Sequence, residues 1–309
     1  MDLRHLAPQV AAWVRLHAPE SWLHGLRRVK YLGGRKQYYR DRLTGATIGE
    51  AQLLHSLALL GLERGDVLYV TSSLSRLGQI EGGARTVVEA LLRVIGPEGT
   101  LIMPSFTLPR GSMLEQVQSG RVFDIRESKS DTGSITEEFR SWPGVSRSLH
   151  PTHSVAALGP LAERLTGGHE LCATAFGPSS PFARLALMES KSLCLGVEIT
   201  YITLYHAFED LTPDFPISVY LPAKYQCTVI DQCGQQRQVP VRVHDPVVAE
   251  RRIDSRPEVL ARMKAAFKEN GILTEGVVGK GVSYVVPNPE LFRVLERLMK
   301  QGITIYADN

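Results

Sequence analysis

The chain has 309 residues, of which 43% are hydrophobic and 22% charged, with a formal net charge of +3. That is an ordinary globular composition, with apolar material for one large α/β domain or two modest ones. No run of about 18 apolar residues marks a membrane span, and no apolar leader with a small-residue cleavage site marks secretion, so the chain reads as cytoplasmic.

Residues 1–45 are basic: Arg4, Arg15, Arg27, Arg28, Lys30, Arg35, Lys36, Arg40 and Arg42 outnumber Asp2, Glu20 and Asp41. The segment, with a helical stretch at Val10–Leu16 and a basic-aromatic stretch at Arg27–Arg42, is expected to be an N-terminal extension. It is suited to a phosphate-bearing ligand, to a second subunit in a homo-oligomer, or simply to a solvated helical face. The main domain is expected over residues 46–309. Thr47 and Glu50 have capping-box spacing, and Leu53, Leu54, Leu57 and Leu60 follow at helical period.

Asp66–Thr71 has the β-branched and aromatic content of a buried strand, Ala84–Ile95 that of an apolar helix, and Thr100–Met103 that of a second strand. Together they form a predicted parallel βαβ unit. Further strands are predicted at Ser154–Leu158 and Ser192–Leu195. A β-rich section spans Ile217–Val243, with Cys227–Ile230 and Val239–Val243 flanking a turn at Asp231–Gln235. A helix at Pro257–Glu269, a strand at Val282–Val286, a helix at Pro289–Gln301 and a strand at Ile303–Tyr306 complete the series. The fold class is α/β, a three-layer α/β/α sandwich with a mixed central sheet and a smaller β-rich section. Cys172, Cys194, Cys227 and Cys233 lack paired C-x-x-C spacing and read as buried small side chains rather than as a zinc ribbon or disulfide framework.

Three clusters carry chemistry. The first is Thr71-Ser72-Ser73-Leu74, followed by Gly78 and by Glu81-Gly82-Gly83-Ala84 leading into a helix. A strand ending in hydroxyls before a glycine loop and a helix start offers donors to a phosphate or pantetheine amide, although it matches neither the P-loop nor the G-x-G-x-x-G pattern. A purely structural turn fits that spacing equally well. The second cluster runs from Arg147-Ser148 through His150-Pro151-Thr152-His153 to Ser154, and the third is Thr203-Leu204-Tyr205-His206-Ala207-Phe208-Glu209. On a helix, His206 and Glu209 share a face with Thr203 one turn earlier, so a base stands beside a carboxylate that can orient it.

The order of these clusters resembles the aminoglycoside 3-N-acetyltransferase family from about residue 46 to about residue 300. The resemblance is carried by Gly65-Asp66-Val67-Leu68, Ser72-Ser73-Leu74, Glu81-Gly82-Gly83-Ala84, Gly99 to Pro104, Glu138-Phe139-Arg140, Arg147-Ser148, His150-Pro151, Ala157-Leu158-Gly159, Ser180-Pro181, Thr203 with His206 and Glu209, and Glu275 to Gly279. It implies direct acetyl transfer from acetyl-CoA, as cosubstrate, to a small-molecule amine in a ternary complex without a metal. His206 would be the catalytic base, Glu209 its companion, and Ser72, Ser73, Arg147 and Ser148 would lie near the coenzyme. An acidic residue after the β-rich section assists the histidine in some members, and Asp245 beside His244 is the nearest match. The chain departs from the family at Thr71, where the family usually has histidine; this puts coenzyme contacts at that loop in question. Thr203 is a candidate oxyanion donor or a helix-start hydroxyl.

The basic leader favours, by a small margin, a phosphate-bearing biosynthetic amino sugar over an aminoglycoside, whose cations would call for acidic residues such as Asp124, Glu209, Asp210 and Asp214. Two rival readings remain. One is a metal-dependent hydrolase using His150, His153, His206 and Glu209, against which Pro151 and the absence of H-E-x-x-H weigh. The other is a non-catalytic module binding nucleic acid or an acidic partner through the leader, whereas the acetyltransferase reading needs no nucleic acid.

Overall fold

The computed structural model describes residues 47–107 and 112–307; the leader with its two predicted stretches lies outside them. The elements in order are α1 (Glu50–Leu59), β1 (Val67–Ser72), α2 (Ala84–Ile95), β2 (Thr100–Pro104), α3 (Met113–Gln118), β3 (Phe123–Asp124), α4 (Ser134–Arg140), β4 (Ser146–Arg147), β5 (Val155–Leu158), α5 (Ala162–Thr166), α6 (Pro181–Ala186) and β6 (Lys191–Leu195). They continue with α7 (Leu204–Leu211), β7 (Tyr225–Ile230), β8 (Gln236–Val241), α8 (Pro246–Glu250), α9 (Pro257–Glu269), β9 (Thr274–Val278), β10 (Gly281–Pro287) and α10 (Asn288–Lys300).

The period of two along each strand builds the layers. Tyr69, Ile102, Ala157, Cys194 and Tyr284 point to one side of the central sheet and pack on α5, α6, α7, α9 and α10. Their neighbours Leu68, Val70, Leu101, Ala156, Leu193 and Val285 point to the other and pack on α1, α2 and α4. The result is the expected three-layer sandwich around a mixed sheet of order β4-β5-β2-β1-β6-β10-β9. β1 runs parallel to both β2 and β6, while β5 and β10 pair antiparallel outside them. The β-rich section is a separate sheet, β3-β7-β8, whose hairpin turns at the expected Asp231–Gln235 with Asp231 Oδ1 accepting from the backbone N–H groups of Cys233 and Gln235.

Three local expectations need correction. Thr47 does not cap α1: Ile48 is held extended in a bridge to Ile80, so the helix starts after Gly49, whose N–H donates to Gln52 Oε1 at 3.1 Å. The run Ile303–Tyr306 adds no strand to either sheet; it docks on the segment before α9 through one bridge, Arg252 to Tyr306, with Ile253 N–H donating to Ile305 O. Cys233 is exposed in its turn, whereas the other three cysteines are buried and free. Among the described residues, no helix is long and apolar enough to cross a membrane.

The chain leaves β1 toward α2 on one face of the sheet and leaves β6 toward α7 on the other. Adjacent parallel strands whose connections part in this way open a crevice at their carboxyl ends, the usual ligand position in such sheets.

Candidate active site

Two groups of residues follow the carboxyl ends of these strands, a hydroxyl- and glycine-rich wall after β1 and a histidine wall on α7. On the first, strand register sets Thr71 beside Cys194 and Ser72 beside Leu195. Thr71 Oγ1 donates to Cys194 Sγ at 3.7 Å, Ser73 N–H donates to Leu195 O at 3.0 Å, and Leu74 packs on the α2 side of the sheet. Gly82 and Gly83 lead into α2 with φ of 71° and 67°, a region that excludes most side chains. A Cβ at Gly82 would lie 2.3 Å from Thr86 Oγ1, while the same position at Gly83 faces open space, so that backbone is free to meet a ligand.

On the second wall, α7 buries Leu204, Tyr205, Ala207 and Phe208 in the core and turns His206 and Glu209 toward one another. Glu209 Oε2 accepts the Nδ1–H of His206 at 2.9 Å, and Glu209 Oε1 accepts from the Tyr306 hydroxyl at 2.8 Å. The Glu209 side chain is 1% exposed; two donors offset the cost of burying its carboxylate. Burial and that carboxylate hold the Tyr306 phenol well above its ordinary pKa, so it remains a donor. With Nδ1 carrying the proton, His206 Nε2 presents its lone pair. Arg252 Nη1 lies 3.4 Å from that nitrogen. Thr203, at the start of α7, does not cap the helix with its side chain; its Oγ1 accepts from the Tyr69 hydroxyl at 3.0 Å, leaving its own proton to donate elsewhere.

His244 completes the cluster. Its Nε2 is 3.6 Å from Glu209 Oε2, its ring centre is 4.7 Å from that of His206, and it stacks on Phe176 at 5.7 Å. Burial first, then the neighbouring His206, His153 and Arg252, push its pKa well below the imidazole range, so the ring is neutral. Asp245, the expected acidic helper, is given over to capping: its Oδ1 accepts from Val247 N–H at the start of α8. The side chain that approaches Glu209 is that of its neighbour.

Arg147 and Ser148 are likewise committed inside the protein. The Arg147 guanidinium donates to the carbonyls of Ser105, Ser128 and Ile125 and to Ser154 Oγ. Ser148 is fully buried; its hydroxyl accepts from Val155 N–H and donates to His169 Nδ1, whose Nε2–H donates to Ala175 O. Four of the five Arg147 N–H groups and the single Ser148 proton are thus engaged within the protein itself, so both read as structural residues rather than as the expected coenzyme donors. His150 and His153 belong to the same buried structure: His150 stacks on His169 at 4.4 Å and accepts through Nδ1 from the N–H of His153, so the metal set read from the sequence is not assembled. The donor atoms of His206, Glu209 and His244 do lie within 4.8 Å of one another, although Nδ1 of His206 and Oε2 of Glu209 already bind each other.

Tyr306, Arg252, His244 and Tyr69 were not singled out from sequence. Tyr306 and Tyr69 sat in runs read as strands, and Arg252 had no pattern at all. Only His244 carried a signal, as a histidine flanking the expected acid.

Residues 69–300 match the family model described as aminoglycoside 3-N-acetyltransferase. Aminoglycoside N(3)-acetyltransferase IX of Micromonospora chalcea is 34% identical over 180 residues, which cover 54% of this chain and 64% of that enzyme, a little under two thirds of its length. Aminoglycoside N(3)-acetyltransferase III of Salmonella sp is 30% identical over 247 residues, 75% of this chain and 85% of that one. Among solved structures, aminoglycoside acetyltransferase AAC(3)-Xa aligns with a TM-score of 0.74 at 27% identity, covering 89% of this chain and 99% of that chain. AAC-IIIb, in binary complex with CoASH, aligns with a TM-score of 0.70 at 25% identity over 85% of this chain and all 100% of its own.

Proposed function

The chain belongs to the aminoglycoside 3-N-acetyltransferase family, a family of N-acyltransferases, and from that premise we propose that it transfers acetyl from acetyl-CoA to an amino group of an amino sugar with His206 as general base. The observation that carries this reading is the 2.9 Å bond between Glu209 and His206 Nδ1, which supports the tautomer whose Nε2 lone pair, facing Arg252 Nη1 at 3.4 Å, takes the proton. The acceptor nitrogen attacks the thioester carbonyl carbon and gives its proton to Nε2. The C–S bond then breaks, and the proton passes to the departing thiolate. Thr203 Oγ1, fixed by Tyr69, donates toward the oxyanion. Glu209, bound to Tyr306 as well, stabilises the imidazolium that forms between the two proton movements.

The wall of Thr71, Ser72, Ser73, Leu74, Gly82 and Gly83 is assigned to the coenzyme, and the CoASH complex of a relative supports acetyl-CoA as the acyl donor. Arg147 and Ser148 instead tie β4 and β5 to the loops at Ser105, Ser128 and His169. The relatives' names favour an aminoglycoside over a nucleotide-linked biosynthetic amino sugar, since the latter reading drew on the leader alone. The test is thiol release from acetyl-CoA across aminoglycosides, amino sugars and simple amines, with the product identified by mass. Thiol release with no amine acetylated would overturn the proposal. Stoichiometric zinc, with activity abolished by a chelator, would instead turn His206, Glu209 and His244 into the ligands of a metal hydrolase.

A further inference from the structure

Nη1 of Arg252 faces His206 Nε2 at 3.4 Å. The rest of the guanidinium is engaged: Nε and Nη2 donate to Asp254 at 3.1 and 2.6 Å, and Nη2 also donates to Thr200 O at 3.3 Å. The Asp254 side chain is 3% exposed, and the Arg252 backbone is bridged to Tyr306, so the fork is clamped along one edge and at its root. Three of its five N–H groups are thereby used, and the remaining two are both on Nη1. One of these points at Nε2 in a contact that is long for a hydrogen bond, and the other has no partner among the described residues. The Arg252 side chain is 30% exposed, so it is not sealed from a substrate that reaches the base.

Acyl transfer builds charge on two atoms of one tetrahedral carbon. Attack by the amine makes its nitrogen positive and the thioester oxygen negative, and both are substituents of the same carbon. A base that takes the proton from the nitrogen and a donor that meets the oxygen must therefore be near neighbours, each about 3 Å from its own atom. Nε2 of His206 and Nη1 of Arg252 have that relation. The ion pair with Asp254 suits the role in two ways. It fixes the donor before the reaction, so no reorganisation accompanies the build-up of charge. It also leaves the resting Arg252–Asp254 pair formally neutral, so a cationic amino sugar is not barred from the base.

We propose that Arg252 is a catalytic residue, the second oxyanion donor beside Thr203. As the amine lone pair forms the N–C bond, the π electrons of the thioester C=O move onto its oxygen. Nη1 donates its N–H to that oxygen while Nε2 takes the amine proton. Collapse re-forms the C=O bond, breaks the C–S bond and returns the proton through His206 to the thiolate, and Arg252 stays protonated throughout. Thr203 Oγ1, held by Tyr69, supplies the other bond to the oxyanion. The inference rests on His206 acting as the acetyl-transfer base.

The test is steady-state kinetics on the full-length protein and its R252K, R252M and H206A variants, with kanamycin and glucosamine as acceptors and acetyl-CoA or dithioacetyl-CoA as donor. The second donor carries sulfur in place of the carbonyl oxygen, and sulfur is a weak hydrogen-bond acceptor. R252M should lower kcat with acetyl-CoA by about a hundredfold, the usual cost of losing one oxyanion donor, while the KM of either substrate moves by about threefold or less. R252K should recover about tenfold of that loss, since it restores a cationic donor without the planar fork. The ratio of kcat with acetyl-CoA to kcat with dithioacetyl-CoA should fall by about tenfold or more from wild type to R252M, because the oxygen substrate alone loses a strong bond. If R252M fails to fold because Asp254 is left unpaired, R252M D254N, which removes both charges, is read in its place. A lowered kcat with an unchanged oxygen-to-sulfur ratio overturns the proposal and makes Arg252 a support for His206. Turnover lost in H206A but kept in R252M also overturns it, and leaves the base in place. If wild type acetylates neither acceptor, the acetyl-transfer reading falls, and the proposal with it.

Discussion

The Glu209 carboxylate accepts the Nδ1–H of His206 at 2.9 Å from a side chain only 1% exposed, and its other oxygen is held by Tyr306. A buried acid with both oxygens engaged is a rigid support for an imidazole. His206→Ala is expected to lower kcat by about a hundredfold or more, because the base is lost, and to lower the melting temperature, because the buried Glu209 keeps only the Tyr306 donor. Glu209→Gln should lower kcat by about tenfold or more, because the amide neither fixes the tautomer as firmly nor stabilises the imidazolium. Steady-state kinetics alongside thermal melts check both; near-full turnover in His206→Ala would remove it from the mechanism.

Arg147 should behave as a structural cation. Arg147→Met strands the carbonyls of Ser105, Ser128 and Ile125, and is expected to cost about 3 kcal/mol or more in urea unfolding. The KM for acetyl-CoA of the folded fraction should stay within twofold of wild type. A large rise in KM in a stable variant would restore the residue to the coenzyme site.

A glycine and a serine of the first wall should part company. Gly82→Ala places a Cβ against Thr86 in left-handed backbone and is expected to lose about 1–2 kcal/mol of stability. Ser73→Asp, at the open mouth of the loop, should raise the KM for acetyl-CoA by about tenfold with little change in melting temperature, since a carboxylate repels the coenzyme phosphates. Unchanged coenzyme affinity in Ser73→Asp would show the loop to be a turn and nothing more.

Acid should destabilise the fold before the carboxylates titrate. His150, His153, His169 and His244 all have folded-state pKa values depressed chiefly by burial, that of His169 to about 3. Unfolded imidazoles titrate near 6.5, so below that pH the unfolded chain takes up protons that the folded chain refuses. Stability is therefore complete above about pH 6.5 and declines as pH falls, by up to about 1.4 kcal/mol per pH unit for each histidine. Urea midpoints at pH 7.5, 6 and 5 measure the slope; a flat series would mean that these rings are protonated in the folded state.

Much of this was legible in the sequence where one periodicity dominated. The helices at Ala84–Ile95 and Pro257–Glu269 have the expected bounds, and the strands around Val67, Thr100 and Leu193 fall within a residue or two, because their apolar pattern is met by a sheet face or a helix layer. The His206–Glu209 pairing followed from helical spacing. Arg147 and Ser148 misled because their partners are carbonyls and a histidine brought near by β4, β5 and the turns around them, and no spacing in the chain encodes those contacts. Asp245 misled by one residue: the chain turned its acid into a helix cap and pointed the neighbouring His244 inward. Thr47 failed as a cap because a tertiary bridge at Ile48 overrode a local signal.

The bridge between Arg252 and Tyr306 also has a bearing on the order of assembly. Tyr306 meets Glu209 across 97 residues, so the carboxylate is made early in synthesis and acquires its second donor late. Until the segment at Ile303–Tyr306 docks, Glu209 Oε1 lacks the hydroxyl donor it has in the folded chain. Arg252 comes into place with that same docking. One short segment outside both sheets thus clasps Glu209 and Arg252 together, so a cut that frees it would unsettle that pair while leaving the sheet standing.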